Sequence, residues 1–172
     1  MKKRKVFFVF LCCLSLLSVL AGCQKKEETK NQDHKKGTAI YYTNKNSTKL
    51  IAVKKDIKLK KNSQLAAEAL IKEMQKNRKD SKYKVAIPEQ VIINNIMVSN
   101  NIVLIDFSTG YKKISANEDL ICRAGIVYTL TQLKDINYVS FSISGRTMLD
   151  TDGKAIGALG KESFVFGELP ME

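Results

Sequence analysis

Apolar residues recur at two different spacings along this chain, and the changes of spacing mark out its elements. The runs "TAIYYT" (38–43) and "KLIAVKK" (49–55) are β-rich and flank "NKNS", whose asparagine and serine side chains suit a turn, so they predict a hairpin. Asn62 and Ser63 then offer capping groups before "QLAAEALIKEMQKN", where Ala67, Leu70, Ile71 and Met74 recur at i, i+3, i+4 and i+7. That period predicts an amphipathic helix, with Glu68 and Lys72 paired on its outer face. Beyond it, Pro88 blocks helix continuation, and two apolar runs around "SNN" predict a second hairpin with strands near Ile92 to Val98 and Ile102 to Phe107. The run Ile102-Val103-Leu104-Ile105 is apolar on both faces, which marks a central strand.

The next segment returns to a helical period. Asn117 is placed to cap it, and Glu118 and Asp119 lie against the positive end of the helix dipole before "LICRAGIVYTLTQL". Leu120, Ala124, Val127 and Thr131 form one stripe, flanked by Ile121 and Tyr128, and it is expected to face the sheet. Cys122, Ile126 and Leu133 project from another side. A helix apolar on two sides is either wedged between layers or reserves one side for a partner, so these three residues are a candidate partner face. "YVSFSISG" alternates, with Val139, Phe141 and Ile143 on one face and serines on the other. The order β-β-α-β-β-α-β predicts an α+β two-layer sandwich, with the helices on one face of a largely antiparallel sheet.

The N-terminus follows a different logic. Lys2, Lys3, Arg4 and Lys5 precede an apolar stretch from Val6 to Gly22, the layout of an export signal. As an uncleaved membrane span this stretch only just reaches the lower limit of about 17 residues. Leu20-Ala21-Gly22-Cys23 resembles the lipobox of bacterial lipoproteins, in which the cysteine is lipidated and becomes the first residue of the mature chain. Residues 1–22 are therefore expected to be a lipoprotein signal peptide and Cys23 the lipid attachment site. Residues 23–36 carry no apolar residue after Cys23 and are expected to form a disordered, charged tether. The folded domain is then 37–172. On this reading Cys12 and Cys13 leave with the signal, and Cys122, set among apolar neighbours, is an inert buried thiol without a disulfide partner.

Charge is unevenly distributed. The formal total is +12, but residues 45–84 hold 13 Lys/Arg against 4 Asp/Glu, whereas residues 85–172 hold 7 against 10. Lys54, Lys55, Lys58 and Lys60 form a candidate basic patch. On an exported, anchored protein such a patch suits an anionic lipid surface, a wall polymer or an acidic protein better than nucleic acid. A solvated lysine-rich face is the plainer alternative.

Catalytic constellations are not found. The single histidine, His34, lies in the tether, so neither a Ser-His-Asp nor a Cys-His arrangement can be assembled in the fold. "GALGKES" lacks the spacing and the terminal Ser/Thr of a phosphate-binding loop. Asp150, Asp152 and Gly153 hint at a calcium loop, but Lys154 and Lys161 stand where ligands would be needed, so a turn is the better reading. No catalytic residue, metal site or cofactor is expected.

Five segments together resemble the GerMN domain family of sporulation and spore-germination lipoproteins: "AIYYTNKNSTKLIAVKK", "AAEALIKEM", "IP" followed by "VLIDFS", "GIVYTLTQLKDINYVSFSISG" and "DTDGKAIGALGKESFV". The resemblance spans nearly all of residues 38–166, and "VYTLTQL" at 127–133 weighs most. It implies a membrane-tethered, non-enzymatic binding domain, similar in fold to ring-building domains of envelope machines. The namesake carries two copies of the domain, and this chain has room for one. The expected function is an interaction module on the extracytoplasmic face of the cell membrane, docking on an envelope protein complex in sporulation or germination, with self-assembly left open. The alternative is a binder of anionic wall polymer or lipid in vegetative cells.

Overall fold

A computed structural model describes residues 37–76 and 82–164. The expected signal peptide (1–22), Cys23 and the expected tether (23–36) lie outside these residues. The first hairpin forms as its composition requires: β1 (Thr38–Thr43) and β2 (Leu50–Lys55) pair antiparallel, Tyr41 opposite Ala52. Asn44 organises the turn, its Oδ1 accepting from the backbone N–H of Thr48 at 2.8 Å and of Lys49 at 3.3 Å. A short strand, β3 (Lys84–Val85), adds to the other edge of β1, at Tyr42 and Thr43 only.

Helix α1 (Ser63–Met74) is capped by Asn62, whose side chain accepts from Leu65 N–H at 2.9 Å. Its predicted stripe of Ala67, Leu70, Ile71 and Met74 is buried. On the outer face, Glu68 accepts from Gln64 Nε2 at 2.6 Å.

The second sheet runs β4 (Ile93–Ser99), β5 (Ile102–Phe107), β6 (Tyr138–Ile143) and β7 (Arg146–Thr147) in that spatial order. The β4–β5 hairpin turns at Asn100, whose φ of 53° suits asparagine. The β6–β7 turn passes through Ser144 and Gly145, both at positive φ. Past β7 the chain folds back, and Leu159 exchanges both backbone hydrogen bonds with Val139 on the remaining edge of β6.

The α+β class and the predicted element order are found. Two features go beyond the periodic pattern: the strands divide between two sheets, and β5 pairs with β6 in parallel. The parallel pairing follows from α2 (Ala116–Leu130), the crossover that returns the chain to the end of the sheet from which it left. Helix α2 packs on β1 of one sheet and on β6 of the other. A helix so enclosed needs apolar residues around most of its circumference, and Ile121, Cys122, Ala124, Gly125, Ile126, Val127 and Leu130 are all buried.

This position corrects three expectations. Cys122 and Ile126 are fully buried, and Leu133 packs half-buried against the same core, so the candidate partner face of Cys122, Ile126 and Leu133 belongs to the interior. Leu120 does not face a sheet; it is 43% exposed on the outward ridge of the first turns, and Ile121 takes the inward place. The N-cap is Ser115 rather than Asn117. Its hydroxyl accepts from Glu118 N–H while the Glu118 carboxylate accepts from Ser115 N–H, a capping box that starts the helix earlier.

Two strand edges, on β1 and β4, are closed by side chains. Along the part of β1 that β3 leaves open, Ala39 N–H donates to Gln132 Oε1 at 3.0 Å, and Gln132 Nε2 donates back to Ala39 C=O at 2.7 Å. Beside it, Tyr41 N–H donates to the hydroxyl of buried Thr129. On β4, Gln64 Nε2 donates to Ile96 C=O at 2.8 Å, and Gln64 Oε1 accepts from Val98 N–H at 2.7 Å. Each amide thus supplies the donor and acceptor that a neighbouring strand would have supplied.

Candidate interaction face

Strand β5 alternates Val103, Ile105 and Phe107 into the core with Ile102, Leu104 and Asp106 on the outer face. Register carries that outer face across three strands. Ser99, Ile102 and Tyr138 share one row, Met97, Leu104 and Ser140 the next, and Asn95, Asp106 and Ser142 the last. Met97 is 47% exposed, Leu104 and Tyr138 each 37%. The "VLID" run therefore lies in a central strand, as its two-sided hydrophobicity implies. Helices cover only one of its faces, and the other is an apolar strip open to solvent.

The strip ends in a polar knot. Asp106 Oδ1 accepts from the Ser142 hydroxyl at 2.6 Å and from Gly145 N–H at 2.7 Å, while Oδ2 accepts from Asn94 Nδ2 at 2.9 Å. These bonds, led by that of Ser142, hold the Asp106 carboxyl below its ordinary pKa. One carboxylate thereby joins β4, β5, β6 and the β6–β7 turn beside the apolar strip.

A groove of about 620 Å³ lies between the 3-10 turn Thr109–Lys113, the start of α2 and the segment after β7. At its base Arg123 grips Asp119 through Nε and Nη2, and the buried Tyr111 hydroxyl donates to the same carboxylate at 2.6 Å. Burial pushes the Tyr111 phenol upward, and it does the same to the Cys122 thiol. Both stay protonated, so neither serves as base or nucleophile at neutral pH. Asp119 and Arg123 are committed to each other.

The four lysines of the candidate basic patch do not act together. Lys54, Lys58 and Lys60 are exposed, but Lys55 is half-buried, with Nζ 2.6 Å from both Glu73 Oε1 and the Tyr42 hydroxyl. Lys55 ties β2 to α1. Asp150 accepts from the backbone N–H of Asp152 and Lys154, so the "DTDGK" segment is a turn, as expected. Among the described residues no cluster of His, Cys, Asp or Glu is arranged to hold a metal ion, and no helix is long and apolar enough to cross a membrane. The edge-closing Gln64 and Gln132 are the residues that periodicity does not find. A glutamine at the start of a helix, such as Gln64, or just past the end of one, such as Gln132, carries no signal of its own, since its role depends on which strand edge lies within reach.

The sequence profile of the Germane family, described as sporulation and spore germination, matches residues 39–149. No curated protein matches the chain. Among solved structures, the fold is similar to the first GerMN domain of the sporulation protein GerM from Bacillus subtilis. The TM-score is 0.58 at 16% identity, covering 73% of this chain and 97% of that domain. The tandem GerMN domains of the same protein align with TM-score 0.54 and 18% identity over 74% of this chain, and the match spans only 46% of the tandem. A candidate lipoprotein of Clostridium perfringens aligns with TM-score 0.51 and 18% identity, covering 72% of this chain and 86% of that one.

Proposed function

The chain belongs to the Germane family of sporulation and spore germination, and from that premise we propose that it is a lipid-anchored, non-enzymatic interaction domain on the extracytoplasmic face of the cell membrane, serving an envelope protein assembly in sporulation or germination. The observation that carries the docking role is the outer strip of β4, β5 and β6. Met97, Leu104 and Tyr138, with half-buried Ile102 between them, form an apolar surface open to solvent, bordered by polar Asn95, Asp106 and Ser142. A folded domain that leaves such a strip uncovered has a surface suited to a protein partner. Anchoring is supported by the lipobox-like Leu20 to Cys23 and by the similarity to a candidate lipoprotein. The tied-up state of Asp119, Arg123, Tyr111 and Cys122 supports a binding role over catalysis.

The test is in-cell cross-linking of the full chain during sporulation, comparing wild type with a Met97→Glu, Leu104→Glu double variant. Both side chains point to solvent, so the variant should accumulate normally in the membrane fraction while its cross-links to other envelope proteins disappear. Unchanged cross-links at normal abundance refute the assignment of this face. An unacylated Cys23 in the wild type, read by mass spectrometry, would refute the anchor.

A further inference from the structure

The segment that leaves β2 for α1 is extended and alternating. Ile57 and Leu59 pack half-buried against the core, while Lys54, Asp56, Lys58 and Lys60 face solvent, followed by exposed Lys61. None of these four lysines makes an ion pair or side-chain hydrogen bond among the described residues. Two acids stand nearby: Asp56 within the row, and Asp135, to which the Ser63 hydroxyl donates at the start of α1. β2 has no second strand partner among the described residues, so the row borders an open edge of the first sheet.

The row lies where the chain enters the domain. Thr38 is opposite Lys55 and Ala39 opposite Lys54 in the β1–β2 register. A Cβ on Gly37 would stand 2.8 Å from Lys55 C=O, so the first described residue runs directly against this strand. The interval 23–36 can extend at most about 3.6 Å per residue, which keeps Gly37 within about 50 Å of Cys23. Any surface to which Cys23 is anchored is therefore the surface that this end of the domain meets most often.

We infer that Lys54, Lys58, Lys60 and Lys61 form a membrane-facing stripe that binds anionic lipid headgroups and lays the tethered domain on the bilayer with β2 downward. The inference rests on the anchored reading above and adds the orientation of the domain and the chemistry of its contact. A lipid anchor combined with a basic patch is a two-signal attachment, in which the anchor supplies proximity and the lysines supply salt-sensitive contact. Lys55, held by Glu73, is not part of the stripe. Lysines suit this task because their ammonium groups contact a fluid array of phosphates without a fixed geometry.

The experiment couples the chain beginning at Cys23, through that thiol, to maleimide lipid in vesicles; the buried Cys122 stays unreacted. Anchoring is thus fixed by chemistry, and native lipidation is read separately from the mass of the cellular N-terminus, so the two readings fail independently. Lysine acetylation is followed by mass spectrometry on phosphatidylcholine vesicles and on vesicles with phosphatidylglycerol, at about 0.1 M and about 1 M salt, where the screening length falls from about 10 Å to about 3 Å. Acetylation of Lys54, Lys58, Lys60 and Lys61 should slow several-fold on the anionic vesicles at low salt, and recover at high salt, while Lys112 and Lys134 are unaffected. Equal labelling on both vesicles overturns the inference. So does protection by a soluble polyglycerol phosphate with none on anionic vesicles, which would assign the stripe to a wall polymer.

Discussion

Replacing Gln132 isolates the contribution of a single amide that stands in for a strand. Its Oε1 accepts from Ala39 N–H, and its Nε2 donates to the carbonyls of Ala39 at 2.7 Å and of Tyr128 and Thr129 at 3.1 Å. Gln132→Ala removes both cross-element bonds. At a net worth of about 1 kcal/mol each, reduced by water that can reach this exposed edge, the loss should be about 1–2 kcal/mol. Gln132→Glu keeps the shape and the acceptor but turns a carboxylate toward three carbonyl oxygens just past the C-terminal end of α2, where the helix dipole also disfavours negative charge. Its loss at neutral pH should therefore exceed that of alanine. The sign of its pH dependence follows. The introduced carboxyl has a folded-state pKa raised above its unfolded value of about 4.3, so its penalty is absent below that value and grows as pH rises toward the folded pKa. Urea unfolding followed by circular dichroism, with unchanged slope, measures both variants. A glutamate variant no less stable than the alanine variant at neutral pH, or a gap between them that does not narrow near pH 4, refutes the strand-substitute account.

Three further outcomes are expected. Gln64→Ala should expose Ile96 C=O and Val98 N–H on β4 and promote edge-to-edge association, seen by analytical ultracentrifugation; a variant as monomeric as wild type removes the edge-closing role. Ile126→Lys places a charge at a fully buried site between the two sheets and should abolish the cooperative unfolding transition, whereas a folded variant would mean that this side of α2 is not core. Asp106, with its pKa lowered by its three hydrogen-bond donors, contributes stability that is complete above the unfolded carboxyl value of about 3.9 and disappears as pH falls through the lowered folded value. Asp106→Asn should lower the melting temperature at neutral pH and flatten the acid limb, and an unchanged acid limb refutes the knot's electrostatic role.

The sequence by itself determined most elements whose cause is local, the Ser115 capping box of α2 excepted. The β1–β2 hairpin, α1 with its Asn62 cap and its stripe, the β4–β5 hairpin and the alternation in β6 follow from side-chain period and turn chemistry, which act over a few residues. The central position of "VLID" was legible too, although its outer face stays open to solvent and is not covered as two apolar faces suggest. Tertiary structure alone decided how these pieces share surfaces. Cys122 and Ile126 look like a spare apolar side until α2 is found between two sheets, where that side has something to bury against. Lys55 reads as one more surface lysine until Glu73 and Tyr42 come within reach, and Gln64 and Gln132 carry no pattern until strand edges distant in sequence arrive beside them. Period reports which residues avoid water; which surface meets which, and whether an outer face stays open as that of Leu104 does, depends on long-range contacts that no local spacing encodes.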